Sequence, residues 1–256
     1  MMEHLRELIT SLQISGVPLR QGEPMLRHTS MQTGGAASVM VFPASEEQLQ
    51  TVFGLCRRYR IAPLILGAGT NVLSPDDGLD TLVIETRTGM GNVESLGDGL
   101  LEAQGGATMT RLAAFALEQG LAGLEFAHGI PGTVGGGVYM NAGAYGGEMK
   151  QVVDGVTVMY PDGHTEEIPA GELELSYRHS RFMAENCVIL RVRVRLIPDS
   201  REAIRGRMND LMRRRKASQP LEFPSAGSTF KRPSTGYAAA LIDQAGLKGL
   251  TVGGAQ

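Results

Sequence analysis

Cysteine is scarce in this 256-residue chain: Cys56 and Cys187 stand far apart and belong to no Cys-x-x-Cys pair or ligand spacing. Two buried, unpaired thiols in a reducing cytoplasm are the expectation. Paired histidines are missing as well. His4, His28, His128, His164 and His179 form no His-x-x-His or His-Glu-x-x-His motif, so no metal site is expected. There is no excess of basic charge. The formal net charge is −3, which argues against a nucleic-acid or anionic-membrane partner. No apolar run approaches the length of a bilayer span. The amino terminus sets Glu3, Arg6 and Glu7 among Leu5, Leu8, Ile9 and Leu12, the spacing of a soluble amphipathic helix and not of a signal peptide. A cytoplasmic protein without membrane association is therefore expected.

Glycine, in contrast, is abundant and clustered. Between Gly129 and Gly147 the chain reads GIPGTVGGGVYMNAGAYGG, eight glycines in nineteen residues. Glycine costs the most backbone entropy on ordering, so such a run belongs where φ is positive or backbone must come very close to something. Ile130, Val134, Val138, Tyr139 and Met140 exclude a polar, flexible linker. A ligand lying against the backbone is the favoured reason, and a bend packed against a sheet is the alternative.

Along the chain, Ala37–Phe42 reads as a strand ended by Pro43, and Ser45 with Gln48 forms a capping box for a helix carrying Leu49, Val52, Phe53 and Cys56. Leu64–Leu66 and Thr81–Ile84 read as further strands, giving a β-α-β unit in the first ninety or so residues. A second helix covers Leu112–Leu117 and closes on Gly120. Val156–Tyr160 and Thr165–Ile168 flank the turn Pro161-Asp162-Gly163 as a hairpin. In Val188–Leu196, Leu190, Val192, Val194 and Leu196 alternate with Arg191, Arg193 and Arg195, one face packed and the other wet. Pro198-Asp199-Ser200 marks a boundary, after which Ala203, Ile204, Met208, Leu211 and Met212 form the stripe of a helix opening a further domain.

Four constellations carry chemical possibilities. Gly67-Ala68-Gly69-Thr70-Asn71 follows a strand, and its successive N–H groups suit a pyrophosphate. It is not a Rossmann fingerprint, because Val72 replaces the third glycine and Pro75-Asp76-Asp77-Gly78 opens a turn where a helix is needed. With the Gly129–Gly147 cluster it suits a flat, diphosphate-bearing cofactor held from two sides, of which FAD is the natural candidate. In Ser176-Tyr177-Arg178-His179-Ser180, Arg178 can hold a carboxylate and meet developing negative charge. In Ser225-Ala226-Gly227-Ser228-Thr229-Phe230-Lys231-Arg232-Pro233, small neighbours leave the Ser228 hydroxyl open beside two cations, with no nucleophile elbow. Arg213–Lys216 either complements a helix C-terminus or reaches a diphosphate.

These motifs, in this order, resemble the UDP-N-acetylenolpyruvoylglucosamine reductase family, from about Leu26 to the last residue. The resemblance implies an α+β fold: a vanillyl-alcohol-oxidase-like FAD-binding domain of two α/β subdomains and a C-terminal substrate-binding α+β domain. Residues 1–25 would form an N-terminal helix and lead-in, 26–197 the FAD domain (about 26–88 and 89–197), and 200–256 part of the substrate domain. No tyrosine-bearing loop follows Leu196, as in the family's shorter type. FAD would contact Gly67, Ala68, Gly69, Thr70 and Asn71, then Gly129, Ile130, Pro131, Gly132, Thr133, Gly135, Gly136, Asn141 and Ala142. NADPH would be the hydride donor and UDP-N-acetylglucosamine enolpyruvate the substrate. Arg178 occupies the place of the charge-stabilising arginine and Ser228 that of the protonating serine. Tyr177, Lys216, Lys231 and Arg232 would bind substrate, although many relatives have Asn at the position of Arg232. A monomer is expected. Another oxidoreductase of the same fold, or a non-catalytic flavin or UDP-sugar module, are the competing readings.

The family continues beyond the position of Gln256 with a stretch bearing a glutamate that assists at the enol carboxylate, so a truncated chain with poor turnover is the expectation. Extending the chain with a relative's tail should then raise turnover, and equal rates with and without it would sink that expectation.

Overall fold

The computed structural model describes residues 2–225, 227–234 and 236–256. The first layer comprises α1 (Met2–Ser15), β1 (Leu19–Pro24), β2 (Ala36–Val41), α2 (Glu46–Tyr59), β3 (Leu64–Leu66) and β4 (Leu79–Glu85). The four strands lie in the order β1-β2-β4-β3, with β2 and β3 both parallel to β4. The β-α-β unit is thus present, and β4 slots between the two strands that α2 connects. Ser45 caps α2 by accepting from the Gln48 N–H, while the Gln48 side chain bonds the N–H of Ala44 and not of Ser45. Leu5, Leu8 and Leu12 of α1 are buried in one cluster with Leu49, Val52, Phe53 and Cys56 of α2 and Val39 and Val41 of β2. The opposite face of β2 is buried too, through Met40, which accounts for its unbroken apolar run.

The second layer holds β5 (Val93–Gly97), β6 (Leu100–Gln104), α3 (Met109–Glu118), β7 (Leu121–Ala122), α4 (Val134–Tyr139), β8 (Gly143–Ala144), β9 (Gly147–Glu148), β10 (Val153–Met159), β11 (Thr165–Pro169) and β12 (Val188–Arg195). Its main sheet runs β11-β10-β12-β6-β5, antiparallel throughout. Strand β12 ties the two layers together, since Val188 and Leu190 pack into the first core and Val192 and Val194 into the second. Its other face is not simply wet. Arg191 pairs with Glu46 and Glu102, Arg193 with Asp154 and Glu167, and Arg195 with Asp154. Helix α3 ends with Gly120 at φ +68, the left-handed stop its position called for.

Two expectations need correction. Cys187 is only partly buried, although burial pushes the thiols of Cys56 and Cys187 up to about 12 and about 11. Helix α4 was not foreseen in a run of glycines, which are poor helix formers. Packing explains it: a Cβ on Gly137 would lie 2.7 Å from Met109 Sδ, and one on Gly147 would lie 2.5 Å from the Phe126 ring. Part of the glycine content therefore serves protein contacts and not a ligand.

Past β13 (Ile197–Pro198), helix α5 (Arg201–Ser218) buries Ile204 and Met208 in the second core, while Ala203 is exposed. Arg207 fastens it through Glu125 at 2.6 Å and Asp199 at 2.7 Å. Beyond it, α6 (Ala238–Gln244) has no buried residue.

Arg60 ends α2 in the left-handed region, at φ +55, with its side chain exposed. That conformation costs a residue with a Cβ about 1 kcal/mol relative to glycine. Arg60→Gly should therefore raise stability by about 0.5–1 kcal/mol in denaturant titration.

Candidate active site

Parallel strands β3 and β4 end side by side, and the open region beyond their carboxyl ends is where such sheets bind ligands. A cleft of about 340 Å³ lies there, lined by Gly67, Ala68 and Thr70, by Ile130, Pro131 and Gly132, and by Arg27–Ser30. The two glycine turns, remote in sequence, are in contact. A Cβ on Gly67 would sit 2.4 Å from Thr133 Oγ1, and Thr70 Oγ1 donates to Pro131 O at 3.3 Å. Gly69, at φ +62, leaves even less room, since its Cβ would lie 1.8 Å from the His28 carbonyl oxygen.

The polar accounting marks this cleft as an anion site. Among the described residues, no protein acceptor takes the backbone N–H groups of Gly67, Ala68, Gly69, Thr70 and Asn71, nor those of Gly132 and Thr133. Backbone donors are satisfied nearly everywhere in folded proteins, so this concentration of free N–H groups around one cleft favours a diphosphate. Gly135 takes a different role: its N–H bonds Gly105 O at 2.8 Å. Gly136 N–H is used by the Thr133 cap at 3.3 Å. Gly129 lies against Arg215, and Ala142 packs against the second core.

Several lining residues went unnoticed in the sequence. Ser30 N–H donates to Gly69 O at 3.1 Å, which holds the Arg27–Ser30 segment against the first turn. Glu85, Arg87, Thr108 and Thr110 complete the wall. The available signal was the Gly34-Gly35 pair, where a Cβ on Gly35 would lie 2.2 Å from Asp76 O. Behind the wall, buried Glu23 accepts from His28 at 2.9 Å and Arg20 at 3.1 Å, and these partners hold its carboxyl below the usual range.

Arg178 stands on a second feature. Ser176 and His179 exchange backbone hydrogen bonds of 3.2 and 3.1 Å, making a tight turn with Tyr177 and Arg178 at its tip. Arg178 has φ +55, a conformation that a long side chain adopts only at a cost. It is half-buried, and among the described residues no carboxylate pairs with it. Asn141, expected at the cofactor, has both of its amide donors engaged by protein groups. Its amide donates to Glu148 Oε2 and to Ser176 O, both at 3.1 Å, and its oxygen accepts from Lys150 N at 2.9 Å.

The C-terminal loop reaches both features. Ser225 exchanges hydrogen bonds with Ser30 (N–H to O 3.3 Å, Oγ to O 3.0 Å), and Arg232 N–H donates to Tyr177 Oη at 3.0 Å. Ser228 and Lys231 lie on the intervening stretch, both exposed, whereas Ala226 lies outside the described residues. The Arg232 guanidinium stacks on Tyr237 at 4.4 Å. Of the basic run, Arg213 and Arg214 pair with Asp210, Lys216 is exposed, and Arg215 is the one half-buried, its guanidinium pKa lowered by burial.

Residues 37–168 match the FAD binding domain family, and residues 219–256 match the C-terminal domain of UDP-N-acetylenolpyruvoylglucosamine reductase. The fold is shared with 4-ethylphenol oxidase from Gulosibacter chungangensis, at a TM-score of 0.59 and 16% identity, covering 77% of this chain and 43% of that one. These matches, with reductase relatives at 40–45% identity, define an FAD-dependent oxidoreductase whose FAD-binding domain has the vanillyl-alcohol-oxidase fold. More narrowly, the reductase of Clostridium novyi is 45% identical over 91% of this chain and 75% of its own length. The solved UDP-N-acetylenolpyruvylglucosamine reductase of Thermus caldophilus gives a TM-score of 0.79 at 32% identity, over 93% of this chain and 82% of that one. The chain belongs to the UDP-N-acetylenolpyruvoylglucosamine reductase family.

Two outcomes follow from the cleft. Gly69→Ala sets a Cβ against backbone in a left-handed position. It should cost about 2 kcal/mol or more and lower the flavin-to-protein ratio measured after purification. The Glu23 carboxyl is held below its ordinary value in the folded state, so its contribution is present above that value and fades as pH falls through the lowered one. Glu23→Gln should thus lose about 1–3 kcal/mol at neutral pH, with the gap to the parent closing in acid unfolding curves.

Proposed function

We propose that this enzyme reduces the enolpyruvyl ether of UDP-N-acetylglucosamine enolpyruvate to UDP-N-acetylmuramate, using NADPH, in peptidoglycan precursor synthesis. The observation that carries this reading is Arg178: a cation without a carboxylate partner, on a strained turn, touched through Tyr177 by the C-terminal loop that bears Ser228. FAD, when bound, supplies two-electron chemistry by accepting a hydride from NADPH and delivering it to C3 of the enolpyruvyl group. Backbone N–H groups of Gly67–Asn71 and of Gly132 and Thr133 would hold its diphosphate.

As the C3–H bond forms, the C2=C3 electron pair moves onto C2 and its carboxylate. Arg178 meets that charge with its N–H donors, and since no carboxylate among the described residues pairs with it, its charge is available. A proton must then reach C2, and Ser228 is the proposed donor. A hydroxyl is a weak acid, but an enolate carbon is strongly basic, and positive charge from Lys216 or Lys231 would ease the transfer. Tyr177, Lys216, Lys231 and Arg232 are proposed to bind substrate. Lys216 and Arg232 are the candidates for its diphosphate or carboxylate, and Arg232 needs to leave the Tyr237 ring to do so.

We further propose a monomer working in the cytoplasm. No helix among the described residues is long and apolar enough to cross a membrane.

The test is an anaerobic visible spectrum of the purified protein before and after NADPH, then after the enolpyruvyl sugar. A flavin band that bleaches and returns on adding the sugar supports both halves of the reaction. Return only on admitting oxygen favours an oxidase of the same fold, and a colourless folded protein removes the reading. Arg178→Ala should slow reoxidation by the sugar about 100-fold or more while leaving bleaching by NADPH unchanged. Ser228→Ala should show the same split, with a loss of about 100-fold or greater.

A further inference from the structure

We infer that Asn141 is a positioning residue for Arg178, acting on the substrate half of the reaction and not on flavin binding. This rests on the role given to Arg178 above. Asn141 sits just past α4, buried, in the left-handed region at φ +42. Its carboxamide has two N–H donors, both engaged: one on Glu148 Oε2 and one on the carbonyl of Ser176. That carbonyl belongs to the residue whose N–H closes the turn with His179. The acceptor side of the amide is used as well, by the N–H of Lys150. Glu148 is itself fixed by a reciprocal capping box with Gln151. One amide therefore ties the base of the Arg178 turn to the β9 segment.

A second anchor supports the far end of the turn. Ser180, fully buried, donates through Oγ to Tyr139 O at 2.7 Å, on the last residue of α4. Between these anchors the chain must hold Arg178 at φ +55 against its own preference. Releasing the Ser176 carbonyl lets the turn relax, and the guanidinium then swings away from the place where charge develops. Small misplacements of such groups cost rate far more than they cost binding.

The backbone at Asn141 allows a clean test, because glycine accepts φ +42 without strain. In the FAD-loaded protein, Asn141→Gly is expected to keep the flavin and its rate of bleaching by NADPH. Reoxidation by the enolpyruvyl sugar should slow about 10- to 100-fold, in the limiting rate and not in the sugar concentration that half-saturates it. Hydrogen exchange of the peptide spanning 173–182 should speed up in the same variant. In an Arg178→Ala background, Asn141→Gly should add little, since the group it positions is gone. Asn141→Asp, which keeps the acceptor for Lys150 N–H but removes the donors, is measured alongside and serves if the glycine variant is unstable. Equal loss in both halves of the reaction, additive effects with Arg178→Ala, or unchanged reoxidation would each overturn the inference. Arg178→Ala alone separates the two levels: if it leaves reoxidation intact, the reading of Arg178 fails and the positioning role with it.

Discussion

The constraint on which the site depends is the approach of two turns from different layers, with Gly67 so near Thr133 that a Cβ has no place. Thr133 is not free to yield, because its hydroxyl caps α4 and its carbonyl accepts the Gly137 N–H. Moving it would unwind the helix on which the Asn141 and Ser180 anchors depend. The cofactor cleft and the Arg178 turn are therefore set by one contact between the layers. Strand β12 reinforces that contact from below, as its side chains contribute to both cores and keep the layers from sliding.

The disposition of arginines separates scaffold from site. On β12 every arginine has a carboxylate partner on a neighbouring strand or on α2. These pairs are partly exposed and each adds little to stability, but they neutralise the sheet face and fix its neighbours. Arg178 and Arg215 differ, since both are half-buried and among the described residues neither has an acidic partner. Desolvating a cation without pairing it is costly, and proteins retain such groups where an anion arrives from outside. Arg215 lies against Gly129 at the start of the glycine-rich segment, so burial singles it out from the basic run in a way that the sequence spacing could not.

Much of this was legible in the residues. Periodicity located α1, α2, α3, β2, β4, the hairpin and β12, because each buries one face or both and leaves the pattern intact. The Gly67–Asn71 turn was legible because its glycines follow a strand and Pro75-Asp76-Asp77-Gly78 reads as a further turn and not as a helix. What stayed hidden depends on contacts between distant segments. Nothing local distinguishes Gly132, whose N–H is free, from Gly137, which makes room for Met109, although both sit in one run. Asn141 was placed at the cofactor only by the family resemblance, and no partner for its side chain is visible in the residues around it. Its partners, Glu148, Lys150 and Ser176, become neighbours only once β9 and the Arg178 turn have folded around it. The amphipathic stripe of α5 was legible too, but which core it serves is a tertiary fact.

The C-terminal loop meets the rest of the protein at two small places, Ser30 on the cofactor cleft and Tyr177 on the arginine turn. Both consist of one or two surface hydrogen bonds, which hold less strongly than a packed interface. That difference suits a division of labour. The cofactor side is built from backbone and glycine contacts that tolerate no displacement, so it is organised before any substrate arrives. The loop carrying Ser228, Lys231 and Arg232 is attached at its two ends, with exposed side chains between them. Under the proposed function, a charged, diphosphate-bearing substrate would supply the contacts that this stretch otherwise lacks, and its carboxylate would be drawn to Arg178, which has no acidic partner among the described residues. Order on the substrate side would then come with binding, whereas order on the cofactor side is a property of the fold.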